Sequence, residues 1–507
     1  MNPLALERPS RWRAFGVAGV FALALLPSFP LLREAASGQR GLGTFPATLW
    51  QSFGLATASA ALGFAAGLPL GVTAALYSFP GRRALLALAS LPLLVPSLLW
   101  AVGWSALLAR VAPGPLPGAA ACVVVFATTA IPLVLLTAWA STAALGAGQV
   151  EAARLAGGEA VLVRSACRHA AVPALLAAGL AGVLVLSDPA PGQIFGQRTA
   201  AAEILVSFAA LFDFGLAARQ GLALAALVLV LAAPLAAVAA PRLAAAVLPR
   251  AIRPLRPVWH REMAALAAGG LLVFVGIGVA APLAGLALPA LRGTALARAG
   301  SEVVETLGNT AIYGLGAGAL AAVLGLLLAA LAGRSSRLRT AVLALSFLLL
   351  ALPSALPSLG LLRWSGEVPA ALAPVFHSRF TVCVALGLRF LPVATLLALR
   401  GWASTSPTWA WAAELHGVSL GRYLARVLAP RLAPAVATGL VLVGLLSAAD
   451  VGTVLLLHPP GQRSLPLAIF TVMANAPEAL VASLCLLYVV GAGALLAALP
   501  WLAGRRL

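Results

Sequence analysis

The chain contains no lysine and only 14 acidic residues among its 507 positions. Charged residues make up 9% of it, whereas a soluble domain needs about 25% to cover its surface. A Walker A loop requires lysine next to its final glycine, so an ordinary P-loop for ATP is excluded. The low charge thus excludes a soluble fold, and the lack of lysine excludes an ATPase that binds ATP through its own P-loop.

Cysteine and histidine are also scarce. The four cysteines form no CxxC pair, and the five histidines lack the spacing usual for metal ligands. No HExxH or GxSxG motif occurs either. We therefore expect no metal site, no disulfide framework, no catalytic residue and no cofactor bound by this chain.

Hydrophobic residues account for 62% of the sequence, mostly in runs of about 18 to 25 residues, a length suited to helical spans. The sequence predicts an all-α polytopic membrane protein with about twelve transmembrane helices. The first six lie near 14–32, 52–78, 84–109, 119–145, 174–190 and 216–240. The second six lie near 263–290, 307–332, 340–362, 380–399, 434–457 and 479–503.

The net charge of +19 comes from arginines in short clusters between the spans. That distribution fits the positive-inside rule and a lipid bilayer, and it argues against nucleic acid as a partner. It predicts that both termini are cytoplasmic. Arg8, Arg11 and Arg13 precede the first span, which we expect to be retained because it is long and lacks a clear cleavage site.

Four sequence anchors recur at an offset near 260 residues. Leu91-Pro92 with Pro96 matches Leu352-Pro353 with Pro357, and Asp188 matches Asp450; the other two pairs are Thr48 with Thr306 and Gly157 with Gly417. The anchors predict two parallel six-helix repeats, residues 1–240 and 263–507, joined by a cytoplasmic linker at 241–262. A pathway is then expected between the halves.

A charged loop lies at matching places in both halves, at 146–173 and 401–433. In the second loop, Leu415, Val418, Tyr423, Val427 and Leu428 can share one apolar side, and Gly417 allows a break between two short helices. The pattern predicts a helix-turn-helix on the cytoplasmic surface to which a soluble partner docks. The alternative is a surface helix whose arginines face lipid headgroups.

Two sets of residues inside or near the spans are pathway candidates. The pairs Pro92 with Pro96 and Pro353 with Pro357 predict kinks in the third and ninth spans, either in a bent pathway helix or as a packing irregularity. Asp188 and Asp450 are expected at the outer ends of the fifth and eleventh spans. They either line a gate or simply cap helices at the outer interface.

The loops resemble the EAA motif of binding-protein-dependent ABC importer permeases, in which Glu-Ala-Ala precedes a glycine and later a proline. Matching residues are Glu151, Ala152, Ala153 and Gly157 in the first loop, and Ala412, Ala413, Gly417 and Pro430 in the second. Trp411 stands where the second glutamate is expected, and the first loop is three residues longer between its glycine and Pro173 than the second is up to Pro430. The two-domain form is similar to the ferric-iron and thiamine permeases of that family.

The resemblance implies a type I permease subunit in a bacterial cytoplasmic (inner) membrane. Its loops would seat on two copies of an ABC ATPase subunit that carry the ATP and Mg, and an external solute-binding protein would deliver the solute. The substrate is then expected among ferric iron, thiamine or similar small solutes. The alternative is a secondary carrier with twelve helices that is coupled to protons or ions.

Overall fold

The computed structural model describes residues 12–37, 41–111, 114, 118–249, 255–291, 293–473 and 475–502. Arg8, Arg11 and residues 250–254 of the expected linker lie outside this set. Over the described part the chain is helical and contains no β-strand beyond one isolated bridge between Tyr77 and Val258.

Ten helices are bounded within the first half and its junction with the second. They are α1 Trp12–Leu25, α2 Phe29–Ser37, α3 Phe45–Leu76, α4 Arg82–Ser90, α5 Ser97–Val111, α6 Gly118–Ala143, α7 Ala147–Leu186, α8 Ala190–Ile194, α9 Ala200–Ala209 and α10 Phe214–Ala246. Helix α10 extends into the expected linker, which therefore begins as helix.

The rest of the chain adds thirteen helices. They are α11 Arg261–Val275, α12 Ala281–Ala290, α13 Ala295–Ala332, α14 Ser336–Ala351, α15 Ala355–Ser365, α16 Ala373–Phe376, α17 Arg379–Ala403, α18 Pro407–Leu415, α19 Leu420–Tyr423, α20 Ala429–Ala448, α21 Val451–Leu457, α22 Leu465–Val472 and α23 Glu478–Leu502. Short π-helical turns at Gly276–Ala280 and Leu424–Leu428 join α11 to α12 and α19 to α20.

Among the described residues, ten helices or joined helices are long and apolar enough to cross a membrane. Two further pairs, Arg82–Leu93 with Ser97–Val111 and Ser336–Ala351 with Ala355–Ser365, reach that length only together, and they bend by 101° and 78°. The chain is thus a multi-pass helical membrane protein with ten to twelve crossings. The third and ninth predicted spans are broken rather than continuous.

Small residues allow the long helices to pack closely. In α3, a Cβ added at Gly67 would lie 2.7 Å from the Cβ of Val134 in α6. In α13, a Cβ added at Gly325 would lie 2.9 Å from the backbone carbon of Ala394 in α17. Backbones approach this closely only where glycine faces the neighbouring helix, which is how helices associate in a bilayer that offers no hydrophobic driving force between them.

The span that follows each charged loop begins earlier than the sequence suggested. The fifth span, predicted at 174–190, belongs to α7, which is helical up to Leu186 from the break at Gly157 and Gly158. The eleventh, predicted at 434–457, runs through α20 and stops at Ala448, and α21 follows as a separate helix. Proline did not end these helices, because membrane helices tolerate an interior proline such as Pro173.

Candidate functional site: two matched loops and a buried charge cluster

The first charged loop consists of the start of α7 and its break. The backbone leaves helical geometry at Gly157 (φ 171°, ψ 30°) and Gly158 (φ 68°, ψ −158°). The φ of Gly157 is extended, although a Cβ there would lie 2.4 Å from Cγ2 of Val161, whereas the φ of Gly158 lies in the left-handed region that favours glycine. The sequence singled out Gly157, but the glycine that the backbone conformation requires is Gly158.

The second charged loop ends α18 in a Schellman motif. The N–H of Val418 donates to the carbonyl of Ala413 at 2.8 Å, and the N–H of Gly417 donates to that of Glu414 at 2.9 Å. Gly417 has a φ of 65°, as the position after the helix end requires in this motif. The break expected at Gly417 is therefore present.

The two loops expose corresponding side chains. Leu155 is 91% exposed and Leu415 is 85% exposed, and each comes two residues before its glycine, at positions 260 apart. Glu151 and Ala152 are exposed, as are Trp411 and Ala412. The alanines that follow are turned inward: Ala153 is half-buried and Ala413 is buried.

Two expectations for the second loop were wrong. Its five apolar residues do not share one buried side: Tyr423 and Leu428 are buried, but Leu415 is exposed. Its second helix is not short, because α19, the π-turn and α20 continue without a break to Ala448. Pro430 is exposed and lies directly after the π-helical turn Leu424–Leu428, inside this continuous helix, which membrane helices tolerate.

A polar network braces the first loop. The Tyr77 hydroxyl donates to Oε2 of Glu159 at 2.5 Å, and Nε of Arg154 donates to its Oε1 at 2.8 Å. Burial and the Glu159 carboxylate raise the pKa of Tyr77, so this hydroxyl remains a donor. The backbone next to Tyr77 also pairs with the linker, since the N–H of Ser78 donates to the Val258 carbonyl at 3.0 Å. The loop is thereby joined to the segment that leads into the second half.

The four candidate prolines lie at the two bends. Pro92 and Pro96 flank the 101° break between α4 and α5, and Pro353 and Pro357 flank the 78° break between α14 and α15. Pro92, Pro96 and Pro353 are buried. Kinks are therefore found where the prolines indicated them, and the part of these helices in a pathway stays a prediction.

The candidate aspartates meet around one arginine. Nε of Arg389, near the middle of α17, lies 3.0 Å from Oδ2 of Asp450. Asp188 is close enough to both side chains for their charges to act on it, and the hydroxyl of Ser97, the first residue of α5, lies near its carboxylate. We call Ser97, Asp188, Arg389 and Asp450 the charge cluster. It joins residues from both halves of the chain.

The aspartates also cap helices. Oδ1 of Asp450 accepts the N–H of Thr453 at 2.7 Å, and Oδ1 of Asp188 accepts that of Ala190 at 3.0 Å. Asp450 is only 8% exposed and is paired with the middle of a membrane-spanning helix. Asp188 and Asp450 each come two residues after the end of a span, α7 and α20, as the sequence predicted, and that these ends face outwards stays a prediction.

A cavity lies beside the charge cluster. Its lining includes Arg389, Pro357, Ser354 and Pro27. The bend at Pro357 thus brings a pathway candidate of the second half next to the arginine. Arg389 was not among the predicted site residues; its signal was that it is the one basic residue well inside an apolar run.

Among the described residues, no group of three or more His, Cys, Asp and Glu side chains is arranged to hold a metal ion. No family model matches the chain, and neither a curated protein nor a solved structure does.

Proposed function

We propose that this chain is the membrane-spanning permease subunit of a binding-protein-dependent ABC importer. The observation that carries the proposal is the pair of charged loops, each a helix, a glycine break and a second helix, with an exposed leucine two residues before the glycine. Two such similar loops, 260 residues apart, are expected if both contact copies of the same partner.

The exposed leucines favour docking over simple solvation. Leu155 and Leu415 expose 91% and 85% of their surfaces within polar surroundings. Covering a leucine fully contributes about 2 kcal/mol, so two such anchors supply a useful part of the affinity of an interface. An ATPase subunit seated on each loop would cover them.

The loops are also suited to transmit movement. After the glycine break each continues directly into a long membrane helix, α7 or α20. A partner that displaces the loop therefore moves the span itself, which is what coupling to ATP hydrolysis requires. By reciprocity, the partner must bind some conformations of this chain more tightly than others.

Matching hydrogen bonds support the proposed parallel repeat. The Ser52 hydroxyl accepts the N–H of Ala200 at 2.8 Å, and the Thr310 hydroxyl accepts that of Leu465 at 2.8 Å. Each hydroxyl also donates to the carbonyl four residues earlier in its own helix. Together with the two proline bends, these contacts favour two structurally equivalent halves with a pathway between them.

In this proposal ATP and Mg are held by two ATPase subunits, and a solute-binding protein delivers the solute from outside an inner membrane. The family resemblance favours ferric iron, thiamine or a similar small molecule as the solute.

Co-purification tests the docking. The chain is co-expressed with the ATPase subunit encoded beside its gene, and recovery of that subunit is compared for the wild type and for Leu155→Asp with Leu415→Asp. We expect the double variant to lose most of the ATPase subunit. Leu291→Asp is the control, since Leu291 is also 77% exposed but lies in the connection between α12 and α13. Unchanged recovery in the double variant would argue against the proposal.

A secondary carrier remains a second candidate because of the charge cluster. Ionisable residues inside a membrane commonly mark proton or ion pathways, and Asp188, Arg389 and Asp450 are of that kind. Uptake into proteoliposomes separates the two functions. A permease requires ATP and the ATPase subunit, whereas uptake that follows a proton gradient without them supports the carrier.

A further inference from the structure

The charge cluster contains one more negative than positive group. Arg389 is within ion-pair distance of Asp450, and among the described residues no cation lies at that distance from Asp188. The Asp188 carboxylate accepts the N–H of Ala190 and lies near the neutral hydroxyl of Ser97. Asp188 is partly buried, and a carboxylate that has lost part of its hydration without gaining a counter-charge is destabilised, so this arrangement favours a ligand that supplies positive charge.

Three buried hydroxyl groups without partners lie within three residues of the two aspartates along the chain. Ser187, Ser447 and Thr453 are 9%, 1% and 2% exposed, and their hydroxyl oxygens have no hydrogen-bond partner among the described residues. Ser187 precedes Asp188, and the other two lie three residues either side of Asp450. Buried polar atoms are normally satisfied, so a group of orphans indicates a site for a polar ligand.

The chemistry of the site restricts the class of ligand. An anion would be repelled by Asp188, and Arg389 is already engaged by Asp450. A bare metal ion needs several oxygen, nitrogen or sulfur ligands, yet the described residues offer no group of three acids, histidines or cysteines, and a guanidinium occupies this cluster. A singly charged organic cation fits both the charge of the cluster and the small number of ligands, because it needs one carboxylate and a few hydroxyl contacts.

We infer that Asp188 is the counter-charge for an organic monocation that binds at the boundary between the halves, with Ser187 and Thr453 as hydroxyl contacts. This inference rests on the proposed function, since it takes that boundary to be the pathway of an importer. It narrows the expected substrates to organic cations and removes bare ferric iron from them.

The test uses the full-length chain in lipid nanodiscs and follows its thermal unfolding midpoint. Choline is the probe, and 3,3-dimethyl-1-butanol is its uncharged isostere. A ligand that binds only the folded state raises the midpoint with its concentration, which gives an apparent Kd. We expect choline to stabilise the wild type and the isostere to have no effect. Asp188→Asn should weaken choline binding about tenfold or more, and Glu305→Gln, at an exposed acid, should not change it.

Arg389→Gln provides a second test that does not depend on the Asp188 variant folding. It removes the competing positive charge from the cluster, so the apparent affinity for choline should rise. Choline that fails to stabilise the wild type, acts equally on Asp188→Asn, or binds more weakly to Arg389→Gln overturns the inference. Glycine betaine is run beside choline, and stabilisation by betaine alone would also overturn it, in favour of a zwitterion.

Recovery of the ATPase subunit is measured on the same preparations. Asp188→Asn should retain it, because Asp188 lies at the opposite end of α7 from the first charged loop, about 40 Å from it. If the wild type recovers the ATPase subunit but does not bind choline, the inference about Asp188 is overturned and the docking proposal stands. If the wild type binds choline but does not recover the ATPase subunit, only the docking proposal is overturned.

Discussion

Arg389 and Asp450 form an ion pair of 3.0 Å inside the helical bundle, with the carboxylate side chain 5% exposed and the guanidinium 22% exposed. The Nη1 atom of Arg389 has no hydrogen-bond partner among the described residues, so the aspartate is the main compensation for its charge. The pair connects α17 to the junction of α20 and α21.

Breaking this pair from one side should be more harmful than removing it. Arg389→Met or Asp450→Leu alone leaves a buried charge without its partner and should lower the free energy of unfolding by about 3 kcal/mol. The double variant should recover much of that loss. A double-mutant cycle on unfolding midpoints measures the coupling, and additive losses would contradict the assignment.

The glycines of α3 that face α6 should not tolerate alanine. A Cβ at Gly71 would overlap the carbonyl oxygen of Leu135, so Gly71→Ala should destabilise the chain by about 1 to 3 kcal/mol. Gly54, in the same helix, has nothing within 4 Å of an added Cβ, and Gly54→Ala should be neutral or slightly stabilising. Thermal unfolding midpoints of the two variants test this prediction, and equal midpoints would contradict it.

The left-handed glycines of the charged loops should control docking. Gly158→Ala and Gly417→Ala place a side chain at φ of 68° and 65°, which costs about 1 kcal/mol and favours a different loop conformation. Association with the ATPase subunit should fall about fivefold. Gly148→Ala is the matched control, since an added Cβ there meets nothing within 4 Å. Equal binding by all three variants would show that these loops do not set the affinity.

Tyr77→Phe should loosen the linker. The change removes the hydrogen bond to Glu159, and with it the support for the backbone pairing between Tyr77 and Val258. We expect faster hydrogen exchange at the Val258 N–H, by about fivefold, from a loss of about 1 kcal/mol. Arg154→Gln serves for comparison, since it removes the other partner of Glu159. Unchanged exchange in Tyr77→Phe would mean that the bridge holds without the hydroxyl.

The positions of the apolar helices and of the breaks were predictable because both depend on local sequence. A run of apolar residues identifies a span wherever it lies, and Pro92 or Gly417 changes the backbone at its own position. Helix ends near the loops were harder to predict. Charged residues such as Arg164 and Arg168 suggested a separate surface segment, although α7 passes through them without a break.

The charge cluster could not be derived from sequence, because it depends on tertiary contacts across the two halves. Asp188 and Asp450 come at the ends of apolar runs, a pattern that fits an outer interface equally well. Only the fold shows that Asp450 pairs with Arg389 and that Asp188 lies close to both. The orphan hydroxyl of Ser187 had no sequence signal either, since serine is common at helix ends.

The continuity of α7 has a mechanical consequence. From Glu159 to Leu186 the helix is about 40 Å long, and Asp188 follows its last turn. One end therefore carries the braced loop, and the other carries the carboxylate of the charge cluster. A tilt of about 5° over that length displaces one end by about 3 Å against the other. A displacement of the loop can therefore reach the proposed solute site through this one helix.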